Sequence, residues 1–473
     1  MHIPQRTHYA GELRGEHIGS KVIIKGWINS NRDMGGLLFL DVRDRIGIVQ
    51  CVIEPSDATM FLYEEGKKLR SEFVVCIEGV VRQRSNPNAK IPTGQIELLI
   101  SSIEVLNESE VTPFVIEEEV KASEELRLKY RYLDLRRPSM QKNLMTRHKI
   151  VQSIRRFFDS RGFIEVETPM LMKATPEGAR DFLVPSRLHH GEFYALPQSP
   201  QIYKQILMIA GFDRYFQIVK CFRDEDLRAD RQPEFTQLDV EMSFPDEEMV
   251  YDAMEGCLRK VWEDVGFSLP KFPRYSYKQV METYGSDKPD LRYELPITTL
   301  TELLRGKTEF KVFNDALETK QGVIAAIVAP GCATWSRKQL DERTDHAKLY
   351  GAGGLVWMKV TAEGIDSSAK KFLAPELLQD IANASDAKQG DLILIAVHQK
   401  WSRAYTIMGA LRSEIAKRLK LTEGKQFDFA PLWVENFPMF ELDEATGVFN
   451  SMHHPFTSPV VEDWENKTDD LAM

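Results

Sequence analysis

The sequence predicts an α+β protein of several domains, in which an N-terminal β-barrel precedes a larger region that contains an inserted α/β-type domain. The chain has 473 residues, which is more than one ordinary hydrophobic core contains. Turn signals divide its first 107 residues into short strand-like runs. Residues 295–416 instead alternate apolar runs with helical stretches, which is typical of a separate α/β-type unit.

The barrel is predicted from five strand-like runs in residues 1–107. Gly35-Gly36 and Asn86-Pro87-Asn88 are among the turn signals that separate them. Five short strands in about 100 residues are typical of a small Greek-key barrel of the OB type. The predicted strands cover residues 22–28, 37–42, 46–53, 73–81 and 96–105.

A linker or hinge is predicted for residues 108–137. A helix is then expected to begin at Pro138, because proline is favoured in a first helical turn and apolar residues follow at helical spacing. The segment 163–169 is predicted to be a strand that ends at proline. Residues 138–294 and 417–473 are assigned to one core, which the insertion interrupts.

The insertion at residues 295–416 shows three long apolar runs and two helical stretches. Long apolar runs are typical of strands buried on both faces. The predicted strands cover residues 322–328, 353–360 and 391–397, and the predicted helices cover residues 336–349 and 368–382.

Composition and charge exclude several classes of protein. With 43% apolar and 28% charged residues, the chain is typical of soluble globular proteins. No apolar run approaches the roughly 20 residues of a membrane helix. The five cysteines lie far apart without a CxxC pair, which favours reduced, cytoplasmic thiols with no metal role. A net charge of −10 argues against non-specific nucleic-acid binding.

The run from Phe222 to Asp239 carries the strongest chemical signal. Arg223 and Glu225 follow an apolar strand, and a second strand carries Phe235, Gln237 and Asp239. Because residues two apart on a strand share a face, Arg223 and Glu225 are expected on one face, and the other three in one row. The guanidinium group of arginine binds phosphate oxygens through two parallel N–H donors. The run is therefore suited to binding a triphosphate and a planar base. A structural salt-bridge network is the alternative.

This run resembles motif 2 of class II aminoacyl-tRNA synthetases, and in detail that of the bacterial-type aspartyl-tRNA synthetases. The resemblance implies an antiparallel-sheet catalytic core. It makes Arg223 and Glu225 the catalytic residues, which bind ATP together with Phe235 stacked on the adenine. It also places Arg223 on the substrate carboxylate, Gln237 on the amino-acid side and Asp239 on the substrate ammonium group.

Three further segments match the same family. The loop 175–181 resembles its flipping loop, in which Glu177 helps to hold the ammonium group. The segment 198–205 resembles its amino-acid pocket, with Ser199, Gln201 and Lys204 as pocket residues and Lys204 reading the aspartate side chain. Independently of the resemblance, Pro200 predicts a helix start with Ser199 as its cap. His453 and His454 match the family segment that borders the aspartate pocket.

The barrel segment 32–44 matches the family's anticodon-binding region. The resemblance places Phe39 on the central anticodon base, with Arg32, Asp33 and Gln50 as neighbours. An aromatic residue on such a strand can stack a splayed base, and a glutamine can read its edge. A phenylalanine buried in the barrel core is the alternative.

The resemblance also implies cofactors and partners. The family uses ATP and Mg²⁺, activates L-aspartate and transfers it to tRNA(Asp), and some members also use tRNA(Asn). The helix from Pro138 and the strand that follows resemble motif 1, which implies a homodimer. The insertion resembles that of bacterial aspartyl-tRNA synthetases.

Two elements of the family pattern are expected beyond Met473. They are a glycine-rich strand with the magnesium carboxylates and motif 3, whose arginine binds the γ-phosphate. We therefore expect no metal ligands within residues 1–473, and we expect this chain alone to lack aminoacylation activity. A non-catalytic RNA-binding paralogue and an asparaginyl or lysyl relative remain as alternatives.

Overall fold

A computed structural model describes residues 4–228, 231–424, 429–443, 446–454 and 457–460. The chain divides into two compact units, Met1–Phe244 and Pro245–Met473. The boundaries of the five segments drawn from the sequence remain a prediction. No helix in the described ranges is long and apolar enough to cross a membrane.

A closed five-stranded barrel begins the first unit, as the sequence predicts. Its strands neighbour one another in the order β1-β2-β3-β5-β4, and only the β3–β5 contact is parallel. The strands are β1 Lys21–Asp33, β2 Leu38–Arg43, β3 Ile48–Ile53, β4 Val74–Gln83 and β5 Ile96–Asn107. Alternate residues face inward, so Val22, Ile24 and Ile28 of β1 are fully buried. Each such side chain stabilises the barrel by about 1.5–3 kcal/mol.

One helix of the barrel, α1 at Met60–Lys68, is absent from the predicted elements. It buries only Tyr63 and Gly66, so its sequence has no apolar stripe to reveal it. A Cβ on Gly66 would lie 2.6 Å from Leu38 and 2.8 Å from Ile53, so glycine is what lets the helix approach the barrel.

The rest of the first unit combines helices with a small sheet. The helix predicted at Pro138 is α4, which runs from Pro138 to Ser160. The strand predicted for residues 163–169 is only two residues long and pairs in parallel with β9. The elements are α2 Glu124–Lys129, α3 Arg131–Asp134, α4 Pro138–Ser160, β6 Ile164–Glu165, β7 Leu183–Pro185, β8 Phe193–Ala195, α5 Gln201–Ile209, β9 Arg214–Phe222 and β10 Glu234–Met242.

The second unit is built around a five-stranded sheet in the order β12-β13-β16-β14-β15, with every neighbouring pair antiparallel. Apolar side chains bury both of its faces, which explains the continuous apolar runs in the sequence. The three predicted strands correspond to β13, β14 and β16. The strands are β12 Ile297–Thr299, β13 Val323–Ala329, β14 Val356–Thr361, β15 Gly364–Ser367 and β16 Leu392–His398.

Helices and short strands complete this unit. The two predicted helices correspond to α10 and α11, and the predicted boundary at residue 416 falls inside α12. The helices are α6 Glu247–Asp264, α7 Tyr277–Tyr284, α8 Thr301–Leu304, α9 Lys311–Leu317, α10 Arg337–Lys348, α11 Pro375–Ala384 and α12 Trp401–Arg418. The remaining strands are β11 Arg274–Ser276, β17 Trp433–Glu435, β18 Phe440–Leu442 and β19 Phe449–Ser451.

Candidate active site and RNA-binding face

The β9–β10 pair forms the floor of the candidate active site. Its register sets Phe235 opposite Cys221, Gln237 opposite Val219 and Asp239 opposite Gln217. Paired residues and residues two apart share a face of a sheet, so Phe235, Gln237 and Asp239 form one row, as predicted.

Lys204 of α5 lies over the end of this row. Its Nζ is 3.1 Å from Oδ1 and 3.3 Å from Oδ2 of Asp239, and 3.2 Å from Oε2 of Glu241. The Lys204 side chain is 12% exposed and that of Asp239 is 5% exposed. One ammonium group therefore serves two carboxylates, so that the three groups, when all are ionised, carry a net charge of −1. Glu241 is absent from the residues predicted for the site, although its spacing of two residues from Asp239 on β10 places it on the same face.

Asp239 is a buried carboxylate that is paired with Lys204. Burial raises the pKa of its carboxyl group, and the charge of Lys204 offsets part of that effect. Oδ1 lies 3.1 Å from the Lys204 ammonium as an ion pair, and no residue that the structure describes gives it a hydrogen bond of good geometry. A carboxylate oxygen has more than one acceptor site, so this oxygen can also accept from a substrate ammonium group.

The loop residue Glu177 is held by two hydroxyl groups. Thr175 Oγ1 donates to its Oε1 at 3.0 Å, and Ser199 Oγ donates to its Oε2 at 2.6 Å. The prediction that Ser199 caps the helix is wrong, because α5 has Pro200 at its N-cap and the Ser199 hydroxyl is used on Glu177. The contact brings two predicted pocket residues together. Gln201, a third, is the first residue of α5.

Arg223 and Glu225 lie beyond the strand that precedes them. β9 ends at Phe222, and Asp224 forms an isolated antiparallel bridge with Arg180. The sharing of one face by Arg223 and Glu225 therefore stays a prediction. The guanidinium carbon of Arg223 lies 5.1 Å from the centre of the Phe235 ring, and this guanidinium forms no ion pair or hydrogen bond with described residues. Glu225 instead pairs with Arg231 at 3.1 Å. A free guanidinium beside an aromatic ring suits a ligand with an anionic and a planar part.

A cysteine completes the floor of the site. Cys221 Sγ donates to Gln237 Oε1 at 3.2 Å. Burial, reinforced by the nearby charge of Asp239, raises the pKa of this thiol to about 11. The thiol therefore acts as a neutral hydrogen-bond donor, and it orients the Gln237 amide.

The two histidines lie in the second unit, where His453 packs edge-to-face on Phe437 with ring centres 5.3 Å apart. Its Nε2 is buried and has no hydrogen-bond partner among the described residues. Their place beside aspartate stays a prediction. In the part of the chain that the structure describes, no group of three or more His, Cys, Asp or Glu residues could hold a metal ion.

On the barrel, Phe39 lies outside the core, between two residues that point into it. Leu38 and Leu40 are 1% and 0% exposed, whereas Phe39 is only half-buried. The alternative of a core phenylalanine is therefore wrong. Arg32 lies opposite Phe39 in the ladder and donates to Asp41 Oδ2 at 2.9 Å.

The other two predicted anticodon contacts are engaged within the barrel. Gln50 is 5% exposed, and its Nε2 donates to Glu97 Oε2 at 2.9 Å. Asp33 Oδ1 accepts a hydrogen bond from Tyr63 at 3.0 Å. The outer face of the barrel thus presents the ring of Phe39, the exposed side chain of Arg32 and the amide of Gln50, which its bond to Glu97 holds in place.

Two family models match the chain. One, tRNA synthetases class II (D, K and N), covers residues 123–473. The other, an OB-fold nucleic acid binding domain, covers residues 22–106, which corresponds to the barrel. The matches define a class II synthetase core preceded by an OB-fold, which confirms the predicted fold class.

The chain is also similar to curated proteins and to solved structures. It is 50% identical to the aspartate–tRNA(Asp/Asn) ligase of Caldanaerobacter subterraneus over 97% of this chain and 77% of that protein. It is 48% identical to the aspartate–tRNA ligase of Macrococcus caseolyticus over 98% of this chain and 78% of that one. The asparaginyl-tRNA synthetase of Pyrococcus horikoshii shares the fold, with a TM-score of 0.52 and 19% identity over 90% of this chain and all of that structure. The chain therefore belongs to the aspartate–tRNA ligase family of class II aminoacyl-tRNA synthetases.

Proposed function

We propose that this protein activates L-aspartate with ATP and transfers the aspartyl group to the 3′ end of tRNA(Asp). The observation that carries the proposal is the position of Lys204 between Asp239 and Glu241. A lysine ammonium suits the side-chain carboxylate of aspartate and repels the ammonium of lysine. The buried carboxylate of Asp239 suits the substrate α-ammonium group, and Glu177 would approach the same group from its loop.

The activation step requires little covalent chemistry from the protein. Adenylate formation is an in-line displacement at phosphorus, which depends on positioning and on neutralising charge. Arg223 would bind the α-phosphate and the attacking carboxylate, Phe235 would stack on adenine, and Glu225 would meet the base. These roles are supported by the approach of the Arg223 guanidinium to the Phe235 ring and by its lack of an ion pair or hydrogen bond with the described residues.

Magnesium would neutralise charge on the triphosphate when bound. The described residues include no carboxylate group that fits the ion, so we derive no step through it. The expectation that magnesium ligands and motif 3 follow this region stays a prediction.

Recognition of tRNA is proposed to involve the outer face of the barrel. Half-buried Phe39 would stack on an anticodon base, with Arg32, Asp33 and Gln50 around it. Relatives named aspartate–tRNA ligase and aspartate–tRNA(Asp/Asn) ligase both match the chain, so use of tRNA(Asn) as well as tRNA(Asp) is compatible with the proposal. A homodimer through α4 and β6 would cover their exposed side chains Leu144, Met145 and Ile164.

A cytoplasmic location would suit the five cysteines, which are all free thiols.

Amino-acid-dependent exchange between ATP and pyrophosphate tests the activation step in the purified native protein. Aspartate is expected to support exchange, whereas asparagine and lysine are expected to give background rates. Exchange with asparagine or lysine, and none with aspartate, would contradict the proposal. Charging assays on tRNA(Asp) and tRNA(Asn) transcripts then measure which tRNA is used.

A further inference from the structure

The buried amide of Gln198 has no role in the function proposed above. Its side chain is 2% exposed and lies just before α5. Its Nε2 donates to the Ala179 carbonyl at 2.9 Å and to Asp181 Oδ1 at 2.5 Å. Its Oε1 accepts the Ala179 N–H at 3.0 Å. One side chain therefore satisfies both backbone polar groups of Ala179, as a neighbouring strand would.

The chain beyond Ala179 is tied down by its backbone. The N–H of Asp224, in the predicted ATP loop, donates to the Arg180 carbonyl at 3.0 Å, and the N–H of Leu196 donates to the Phe182 carbonyl at 2.9 Å. The chain before Ala179 is held differently: the N–H and the side chain of Glu177 bond to Thr175 within the same loop, and its one hydrogen bond to a described residue outside the loop is with the Ser199 hydroxyl, which must be exchanged for Glu177 to move.

Gly178 separates these two halves of the loop. Its φ is +108°, a value that residues with a side chain rarely adopt, and a Cβ there would meet nothing within 4 Å. The backbone at this position therefore has both the conformational freedom and the open space to rotate. Glu177 lies on the moving side of Gly178, and Ala179 lies on the fixed side.

We propose that Gln198 is a positioning residue that fixes the pivot of this loop at Ala179, so that rotation at Gly178 brings Glu177 onto the ammonium group of the bound amino acid. This inference rests on the proposed function and assigns a part of the same site. Gln198 acts through Glu177 and takes no part in the reaction itself. Loss of its hydrogen bonds weakens amino-acid binding more than it slows the chemical step.

The test uses Gln198→Ala and Gln198→Glu in the purified native protein, with KM for aspartate and kcat measured by pyrophosphate exchange. Gln198→Ala is expected to raise KM about tenfold or more and to change kcat far less, because the ammonium contact exists in both ground and transition states. In Gln198→Glu, the ionised carboxylate cannot donate to the Ala179 carbonyl, and it repels Asp181. Once protonated it can donate again, so its KM defect should shrink as the pH falls from about 8.5 to about 6. General loss of packing predicts no such recovery.

A variant on the loop side keeps the proposal testable if Gln198→Ala folds poorly. Asp181→Ala removes one of the three hydrogen bonds at a partly exposed position, and a rise in KM of about threefold is expected. The matched control is Gln205→Ala, an exposed glutamine on the same α5 helix, which should keep the wild-type KM. Melting temperatures show whether each variant is folded.

Two outcomes distinguish a failure of the proposed role of Gln198 from a failure of the proposed function. If the wild-type protein catalyses aspartate-dependent exchange, but Gln198→Glu and Asp181→Ala keep its KM at every pH, the pivot is overturned and the proposed function stands. If the wild-type protein neither exchanges nor binds aspartate in calorimetry, the proposed function fails and the pivot fails with it.

Discussion

Lys204 carries the charge balance of the candidate site at the scale of single residues. Its Nζ lies within 3.3 Å of carboxylate oxygens of both Asp239 and Glu241, so one positive charge faces two negative charges. A compact ammonium with three donors can serve both carboxylates and still be redirected toward a substrate carboxylate. The same arrangement makes the native fold depend on this one cation.

Replacing Lys204 by methionine should destabilise the protein by about 3 kcal/mol, because it leaves the buried carboxylate of Asp239 and the partly exposed carboxylate of Glu241 without their shared counter-charge. Urea unfolding followed by circular dichroism measures the change. Adding Asp239→Asn to the variant removes one of the unpaired charges and should recover part of the loss. A Lys204→Met protein as stable as wild type would contradict the prediction.

Asp239 should titrate at a higher pH than an ordinary aspartate. Its folded-state pKa is raised mainly by burial, so between the unfolded and folded pKa values the native state binds more protons than the unfolded chain. The contribution of this group to stability is therefore greatest at low pH and declines as the pH rises through that window. Binding of an ammonium group requires the ionised form, so aspartate affinity should fall as the pH is lowered through the same window.

Carbon-detected NMR of the Asp239 carboxyl group measures this titration directly, and calorimetry measures aspartate affinity over the same pH range. Asp213, which stands outside the cluster, is a convenient reference carboxyl group in the same spectra. An Asp239 resonance that titrates at or below the usual range of aspartate would contradict the prediction.

Cys221 should resist alkylation in the folded protein. A pKa of about 11 in place of 9.0 lowers the thiolate fraction at neutral pH about 100-fold, and burial limits access further. Iodoacetamide labelling at pH 8, followed by peptide mass spectrometry, measures the rate at this residue. The urea-unfolded chain serves as the reference, and equal labelling rates in the two states would refute the prediction.

At the scale of elements, α7 and α12 cross at two glycines. A Cβ on Gly409 would lie 2.0 Å from the Gly285 carbonyl oxygen, and a Cβ on Gly285 would lie 2.3 Å from the Tyr405 carbonyl oxygen. Beside the crossing, the buried Arg412 donates to the carbonyl groups of Leu295 and Tyr293. Leu295 has φ +91°, so the arginine holds a strained turn where the five-stranded sheet begins.

Gly409→Ala should destabilise the second unit by about 3 kcal/mol or more, because the new methyl group meets backbone that cannot move aside. Thermal unfolding measures the loss. Gly353→Ala is the matched control, since a Cβ there would have open space and the residue has no positive φ. That control should change stability by about 0.5 kcal/mol at most, and an equal effect of the two substitutions would contradict the packing argument.

Prediction of elements succeeded where one face of an element is buried and failed where burial is slight. The barrel strands place apolar residues in the core and are separated by turn residues, so the apolar runs and the turn signals indicated them. Helix α1 buries two residues and leaves no such pattern. Helix α12 does carry buried residues at helical spacing, namely Ala404, Met408, Leu411 and Ile415. Its sequence therefore contained the pattern of a helix, but the predicted domain boundary at residue 416 was placed inside it.

At the scale of the whole molecule, the proposed RNA-reading and amino-acid sites belong to separate domains of the fold. Phe39 is part of the barrel, and Lys204 is part of the later α+β region of the same unit. Removing the ring at residue 39 should therefore change tRNA binding without changing aspartate activation.

Phe39→Ala is expected to weaken binding of tRNA(Asp) by about 1–3 kcal/mol, which is the contribution of one stacked base. Filter binding measures the affinity, and pyrophosphate exchange in the absence of tRNA should stay at the wild-type rate. Phe193→Ala, an exposed phenylalanine on β8, is the matched control and should bind tRNA normally. A parallel loss of exchange in Phe39→Ala would show that the two sites are not separate.

By itself, the sequence determined the five barrel strands, the β9–β10 pair with its row of Phe235, Gln237 and Asp239, and the family of the chain. Those features depend on periodicity and on motifs of neighbouring residues. The tertiary structure alone decided that Lys204 meets both Asp239 and Glu241, that Ser199 serves Glu177 instead of capping a helix, and that Gln198 holds Ala179. Hydrogen bonds and pKa shifts depend on distances of a few ångströms between residues far apart in the chain, and chain spacing does not specify those distances.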